Sequence, residues 1–518
     1  MAAPQEKLAE SLEVLHALQE HGMVAIRTSD LTRTHLERLL ASGFLQKVMK
    51  GWYLPTRPDQ PAGESTAWYA SFWNFCSAYL HERFGEEWCL SPEQSLCLHA
   101  GSQTVPAQLL VRTPKGGNKI TSLPHNTSLL DVRASVPEDN DIEELRGLRL
   151  FSLASALVAC SPQFFRQNST DARTALTLIR DASGVLERLL EGGHSKIAGR
   201  LAGAFRNIGR DRISDDIVGT MRAAGYDVRE NDPFEAKAPV MLSAREHSPY
   251  VNRMRLMWQD MREPIIEIFP AAPGLPKSTA AYLKQVEEVY VTDAYHSLSI
   301  EGYRVNPELI ERVRSGNWNP DNDEQDREYR NALAARGYWQ AFQSAKESVS
   351  RVLSNENPGT VVDEEHGAWY REMFVPGVTA GLLRPADLAG YRNGPVYIRC
   401  SMHTPPNREA VRDLMPAFFD LLKEETEPSV RVVLGHFNFV YIHPYVDGNG
   451  RMGRFLTNVL LASGGYPWTV VPIERRDAYM AALEHASVRQ NIVPFAKFLA
   501  QLVKDGLEGK AAPKLLPL

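Results

Sequence analysis

The groups that could do chemistry crowd into residues 443–454, which read His-Pro-Tyr-Val-Asp-Gly-Asn-Gly-Arg-Met-Gly-Arg. Gly448 and Gly450 let backbone N–H groups turn toward an anion, and the apolar run that starts at Phe455-Leu456 predicts a helix whose N-terminus faces the same anion. Arg451 and Arg454, three residues apart, project from one side of that helix start, where planar guanidinium forks can grip phosphate oxygens in pairs. Asp447 offers a hard oxygen of the kind Mg²⁺ takes alongside a nucleotide's own phosphates. His443 is left for proton chemistry, with an ordinary pKa close enough to neutrality for a general base. Together these residues read as a triphosphate site with a base beside it.

The same twelve residues resemble the H-P-F-x-D/E-G-N-G-R-x-x-R signature of the Fic family, with Tyr445 in place of the usual Phe. The resemblance implies binding of ATP and transfer of its AMP moiety to a Ser, Thr or Tyr hydroxyl on a target protein. It makes His443 the base that takes the hydroxyl proton and Asp447 the Mg²⁺ ligand. Asn449 would contact the α-phosphate, Arg451 and Arg454 the β- and γ-phosphates, and Gly448, Gly450, Met452 and Gly453 would line the nucleotide with them. Residues 390–406 resemble the β-hairpin flap of that family, whose strand edge, here Val396, Tyr397, Ile398 and Arg399, would register an extended target segment. Tyr479, in Arg-Arg-Asp-Ala-Tyr, is a candidate nucleoside contact, and Ser487 stands where the family often has Asn.

Well upstream, Ser297-Leu298-Ser299-Ile300-Glu301-Gly302 fits the family's inhibitory pattern, S/T-x-x-x-E-G/N. The resemblance implies that Glu301 pairs with Arg454 where a γ-phosphate would sit, with Ser297 and Gly302 as the motif's other fixed positions. The helical spacing of apolar residues over 282–290 runs toward Glu301 and makes that placement feasible. His436 and His403 have no carboxylate or cysteine at a metal-ligand spacing and read as structural or surface groups.

These motifs need a scaffold. The 518 residues carry 57 Lys and Arg against 63 Asp and Glu, a mild net charge of −6, with 43% apolar residues. One core rarely grows past about 250–300 residues, so several domains are expected. Residues 1–58 resemble a winged helix-turn-helix, in particular that of AbiEi-type antitoxins: amphipathic helices, then an alternating run over 44–54 that reads as a two-stranded wing. Six basic residues against two acids over 21–57 give it the electrostatic footprint of duplex DNA binding, with Arg33, Arg38, Lys47 and Lys50 as the candidate contacts. Residues 60–240 read as a mixed α/β middle domain of vaguely AbiEi-like character without a catalytic constellation. A proline-rich stretch within 241–277 reads as a linker, and 278–505 as the Fic domain.

The expected architecture is therefore mostly α: a Fic-type helical domain with a β-hairpin flap, an N-terminal winged helix and a mixed middle domain. The expected activity is auto-inhibited protein AMPylation. Two alternatives stay open: removal of AMP with Glu301 activating water, and a DNA-binding regulator that uses its Fic domain as a nucleotide sensor. No run approaches the roughly 20 apolar residues of a membrane span, and residues 1–10 lack the build of a signal peptide. Cys76, Cys89, Cys97, Cys160 and Cys400 form no C-x-x-C pair, which fits a reducing cytoplasm. Expected partners are ATP, a protein hydroxyl and duplex DNA, with room for a homodimer and none for a membrane.

Overall fold

The computed structural model describes residues 4–20, 23–58, 64–235, 248–316, 329–510, 513 and 515. The chain divides into two compact units, Met1–Arg253 with Tyr397–Thr404, and Met254–Val396 with Pro405–Leu518. Most of the described residues are helical.

The first unit opens with helix α1 (Pro4–Glu20), strand β1 (Ile26–Arg27), helix α2 (Arg33–Ala41) and the hairpin β2 (Leu45–Met49) and β3 (Trp52–Pro55). Thr32 caps α2 by accepting the His35 N–H, and Gly43, at φ 73°, lets the chain leave the helix toward the hairpin. The three strands form an antiparallel sheet in the order β1-β3-β2. Leu15, Ile26, Leu36, Leu39 and Leu45 close the core beneath it. Arg38 departs from the expected DNA-facing set. It is turned inward, donating to Lys7 O and, at 2.8 Å, to Ser11 Oγ on α1, which spends its guanidinium on helix packing. Arg33, Lys47 and Lys50 are exposed, Arg33 in an ion pair with Glu37 on the same helix.

A mixed α/β body follows. The aromatic-rich helix α3 (Thr66–Phe84) leads to β4 (Cys89–Leu90) and to α4 (Pro92–His99), which starts at the Ser91 cap with Pro92 in the first turn. Strands β5 (Gln108–Thr113), β6 (Lys119–Ser122) and β7 (Ser128–Arg133) complete a four-stranded sheet, β4-β5-β7-β6, in which only β5 and β7 are parallel. After the hairpin β8 (Ile142–Leu145) and β9 (Leu148–Phe151) come helices α5 (Leu153–Ala159), α6 (Pro162–Gln167), α7 (Ser169–Leu178), α8 (Ser183–Glu191), α9 (Ser195–Asn207) and α10 (Asp211–Ala223).

Part of the expected linker is a helix. Residues 241–247 lie outside the described residues, but α11 (Pro249–Ile268) runs on through Pro264. A proline inside a helix costs about 3 kcal/mol. Met254, Met257, Trp258, Met261 and Ile265 recur at helical spacing with 0–3% exposure, and each fully buried side chain returns roughly 1.5–3 kcal/mol, so burial wins. Glu425 anchors α11 further, accepting from Trp258 Nε1 and from Arg262 Nε and Nη2, each at 3.1 Å.

The second unit is helical. It contains α12 (Thr279–Ile300), α13 (Pro307–Arg314), α14 (Tyr329–Leu353), α15 (Pro358–Thr379), α16 (Arg408–Glu424), α17 (Pro428–Ile442), α18 (Asn449–Ser463), α19 (Arg476–Arg489) and α20 (Val493–Leu507). Helix α17 is buried on every side from Ser429 to Ile442, which is why its sequence is mostly apolar around the whole circumference, with Arg431, His436 and Asn438 as buried polar exceptions. It approaches α18 closely at two glycines: a Cβ on Gly435 would stand 2.5 Å from Leu460 Cδ1, and one on Gly453 3.1 Å from Val440 Cγ1.

The expected flap hairpin has no strand ladder. A turn closes between the Ser401 N–H and Ile398 O at 3.1 Å, yet no residue of 390–406 is in a strand. The backbone groups bond elsewhere: Arg392 N–H to Pro444 O, the Cys400 N–H to Thr66 Oγ1, and Met402 O to the Val105 N–H. Pro395, Pro405 and Pro406 have no N–H to offer a ladder. Val396 falls in the second unit, while Tyr397, Ile398 and Arg399 cluster with the first.

Candidate active site

The site is built where α17 ends and α18 begins. His443 closes α17 in the left-handed region (φ 53°, ψ 59°), its N–H still reaching back to Phe439 O at 3.0 Å. Its Nδ1 lies 3.1 Å from Val440 O. A carbonyl can only accept, so Nδ1 carries the proton and Nε2 presents its lone pair. Burial pushes the imidazole pKa down to about 4, helped by the Arg392 charge and opposed by the Val440 bond and by Glu301 and Asp447. The imidazole is thus neutral at pH 7 and less basic than an ordinary one.

Gly448, at φ 80°, turns the chain into α18. Its positive φ and the Phe374 ring, 2.8 Å from where a Cβ would lie, both exclude a side chain. Asn449, 2% exposed, clamps Tyr445 from both sides, accepting its N–H at 2.9 Å and donating to its carbonyl at 2.8 Å. This holds the turn shut and leaves one amide N–H for the α-phosphate contact expected of Asn449. Tyr445 is stacked flat on Tyr370, centroids 3.9 Å apart, in a buried aromatic position.

Asp447 is exposed, its Oδ1 accepting the Gly448 N–H at 2.6 Å and its Oδ2 lying 3.5 Å from Arg451 Nη2. No group of three or more His, Cys, Asp or Glu side chains among the described residues could hold a metal ion. One accessible carboxylate suits Mg²⁺ that arrives with phosphate ligands of its own.

Arg451 is 2% exposed and stacks over two rings, Tyr303 at 5.2 Å and Phe374 at 5.1 Å. Its Nε has no hydrogen-bond partner among the described residues. Arg454 donates from Nε to Ser297 Oγ at 2.8 Å, and from Nη2 to Ser297 O at 3.0 Å and Glu301 Oε1 at 2.7 Å. Burial would raise the Glu301 pKa, but Arg454, Arg451 and Arg476 outweigh it and hold the carboxyl below its ordinary range. The same carboxylate sits directly over the first turn of α18: a methyl group on Gly450 would lie 2.4 Å from Oε1. An anion therefore already occupies the helix N-terminus that the glycines open.

Glu301 is delivered by the end of α12, where Gly302 at φ 86° and the bonds Gly302 N–H to Ser299 O and Tyr303 N–H to Leu298 O reverse the chain. Arg476 Nε adds a bond to Ile300 O at 3.0 Å. Behind Ser297, the buried Asp293 accepts from Tyr338 OH at 2.7 Å, its pKa pushed up to about 6 by burial.

Two expected nucleotide contacts are elsewhere. Tyr479 is 1% exposed with its hydroxyl 2.7 Å from His436 Nε2, and its ring packs on Phe495 and Phe498. It supports the site from beneath instead of offering a face to a nucleoside. Met452 is fully buried and contributes core packing. Ser487 is buried as well. His436, expected to be structural or a surface group, is structural: Nδ1 engages Gly453 O and Thr457 Oγ1, and burial pushes its pKa down to about 3. His403 is buried in the first unit. Arg392, Tyr303, Phe374 and Asp293 were missed as parts of the site, since each acts from a separate segment with no spacing to mark it.

Residues 371–461, which hold the whole turn, match the Fic/DOC family. The chain carries a Fic domain. "Protein adenylyltransferase Fic" of Nematostella vectensis is 25% identical over 290 residues, 54% of this chain and 61% of that protein. The protein of the same name from Drosophila willistoni is 35% identical over 132 residues, 25% of this chain and 26% of its own. The chain thus spans about three-fifths or less of these relatives. A solved fragment of Fic-1 from C. elegans, residues 134–508, is 19% identical and covers 63% of this chain and 91% of that one, at a TM-score of 0.36. None of the described helices is long and apolar enough to cross a membrane. All five cysteines are free thiols.

Proposed function

We propose that the Fic domain transfers AMP from ATP to a Ser, Thr or Tyr hydroxyl of a protein and that Glu301 holds this activity down. The names of the relatives support the first half. The Glu301 carboxylate on the α18 N-terminus, 2.7 Å from Arg454, supports both: it marks an anion site built for a phosphate and fills it. In the reaction the target hydroxyl oxygen attacks the α-phosphorus, Nε2 of His443 takes the hydroxyl proton, and the bond to the β-phosphate breaks to release pyrophosphate. Arg451 and Arg454 neutralise the leaving phosphates. Asp447 would hold Mg²⁺, which adds charge neutralisation at the phosphate oxygens. A bound triphosphate brings negative charge near His443 and so raises its pKa toward a value better suited to a base.

Labelling with ATP radioactive at the α-phosphate tests the reading. A charge-assisted pair contributes roughly 1.5–3 kcal/mol, so Glu301→Gly should raise self- or lysate labelling about 10- to 150-fold. Adding His443→Ala to that variant should lower it about 10²- to 10⁴-fold. Equal labelling by wild type and Glu301→Gly removes the brake. Loss in Glu301→Gly of an activity that strips AMP from a labelled protein makes Glu301 a hydrolytic residue, although a carboxyl held this acidic is a poor base for water.

For residues 1–58, within the first unit, we infer a winged helix that binds duplex DNA. The helix, strand, helix and hairpin order supports it, as do exposed Arg33, Lys47 and Lys50.

A further inference from the structure

A histidine in the left-handed region is strained by about 1 kcal/mol or more, and a helix end leaves its last carbonyls without N–H partners. Both problems meet at residues 442–444, where Pro444 can donate nothing. One side chain from another segment answers both. Arg392, 2% exposed, donates from Nε to His443 O at 2.7 Å and from Nη2 to Ile442 O at 3.3 Å, while its own backbone N–H reaches Pro444 O at 2.9 Å. Three successive carbonyls are thus satisfied by one residue. Its other donors go to Gly394 O at 3.1 Å and to Pro406 O, tying the segments before α16 to the same point. The cation also lies at the negative end of the fully buried helix α17, where the helix dipole favours it. Arg412 Nη1 in turn donates to the Arg392 carbonyl at 3.3 Å.

We infer that Arg392 is the positioning residue of His443: it locks the peptide planes on both sides of the base so that Nδ1 stays on Val440 O and Nε2 faces the reacting hydroxyl. This rests on the reading of His443 as the general base. A lysine has one donor head and no fork, so it can hold one carbonyl of the set but not several at fixed angles. A base displaced by about 1 Å can lose on the order of 100-fold in rate.

Full-length Glu301→Gly and its doubles with Arg392→Lys and Arg392→Gln test this by steady-state labelling and by ¹⁵N-histidine NMR, the His443 resonance being assigned with His443→Gln. Arg392→Lys should lower kcat about 10- to 100-fold with the KM for ATP within about twofold. Arg392→Gln should mix the two His443 tautomers and raise the imidazole titration midpoint, because a cation beside it is gone. Unchanged kcat in Arg392→Lys overturns the inference, as does a loss shared equally by KM and kcat. If the Glu301→Gly parent transfers no label, the AMP-transfer reading fails. The NMR arm still decides Arg392, and an unaltered His443 tautomer and midpoint in Arg392→Gln overturns it.

Discussion

His443 shows how far a residue's surroundings reset its chemistry. Taken alone, His443 has an imidazole poised at neutrality. In the fold it is pushed down to about 4, and His436, packed between Gly453 and Tyr479, to about 3. In the unfolded chain each imidazole takes up a proton near pH 6.5. The unfolded state therefore binds more protons than the native one below that value. Stability contributed by these groups is complete above pH 6.5 and declines as the pH falls toward 4 and 3. The urea midpoint of the full chain, followed from pH 7 to 4, should fall with acidity. In His443→Gln the unfolding free energy from the same titrations should depend on pH less steeply, by about 1.4 kcal/mol per pH unit in the window between pH 6.5 and 4. The same slope in both proteins would mean that His443 is solvated and titrates normally.

At the scale of the element, the proposed brake is the C-terminus of one helix docked on the N-terminus of another. The negative end of α12 brings a carboxylate to the positive end of α18, with Arg454 and Ser297 as the rivet. Its geometry depends on Gly302, whose φ of 86° no ordinary residue adopts cheaply, though nothing lies within 4 Å of where a Cβ would stand. Gly302→Ala therefore adds strain without a clash, about 1 kcal/mol, and should loosen Glu301 from Arg454. Labelling should rise about fivefold, well short of Glu301→Gly. Labelling at the wild-type level would show that Glu301 holds its place without the reversal. Tyr303, next in the chain, stacks on Arg451, so the helix end reaches both arginines of the turn, one by charge and one by its ring face.

For the whole molecule, a chain of net charge −6 carries an N-terminal segment with exposed Arg33, Lys47 and Lys50. Contacts to DNA phosphates release counterions, so duplex binding by the full chain should weaken steeply as salt rises. Lys47→Glu with Lys50→Glu should abolish binding in a low-salt gel-shift series and leave AMP transfer in the Glu301→Gly background unchanged. No complex with any duplex at low salt would assign residues 1–58 to protein contacts.

Much of this was legible in the residue order because local rules decide it. The proposed triphosphate turn has its glycines, arginines, acid and histidine close together in sequence, since a helix N-terminus and its approach are one contiguous object. The α12 motif and the β2–β3 hairpin, expected as a wing, are likewise short-range. Where partners lie far apart in sequence, only the folded chain could decide. Burial turned Tyr479 and Met452 from ligand contacts into support, and packing of Met254, Trp258 and Ile265 carried α11 through Pro264 where a linker was expected. The flap spent its N–H groups on other partners instead of a ladder, and Arg38 turned inward to α1. Arg392 meets His443 from 51 positions away. Hydrogen bonds and desolvation act through space, so the residue types were fixed by the sequence, whereas the protonation of His443 and the hold on its backbone were decided by the tertiary structure.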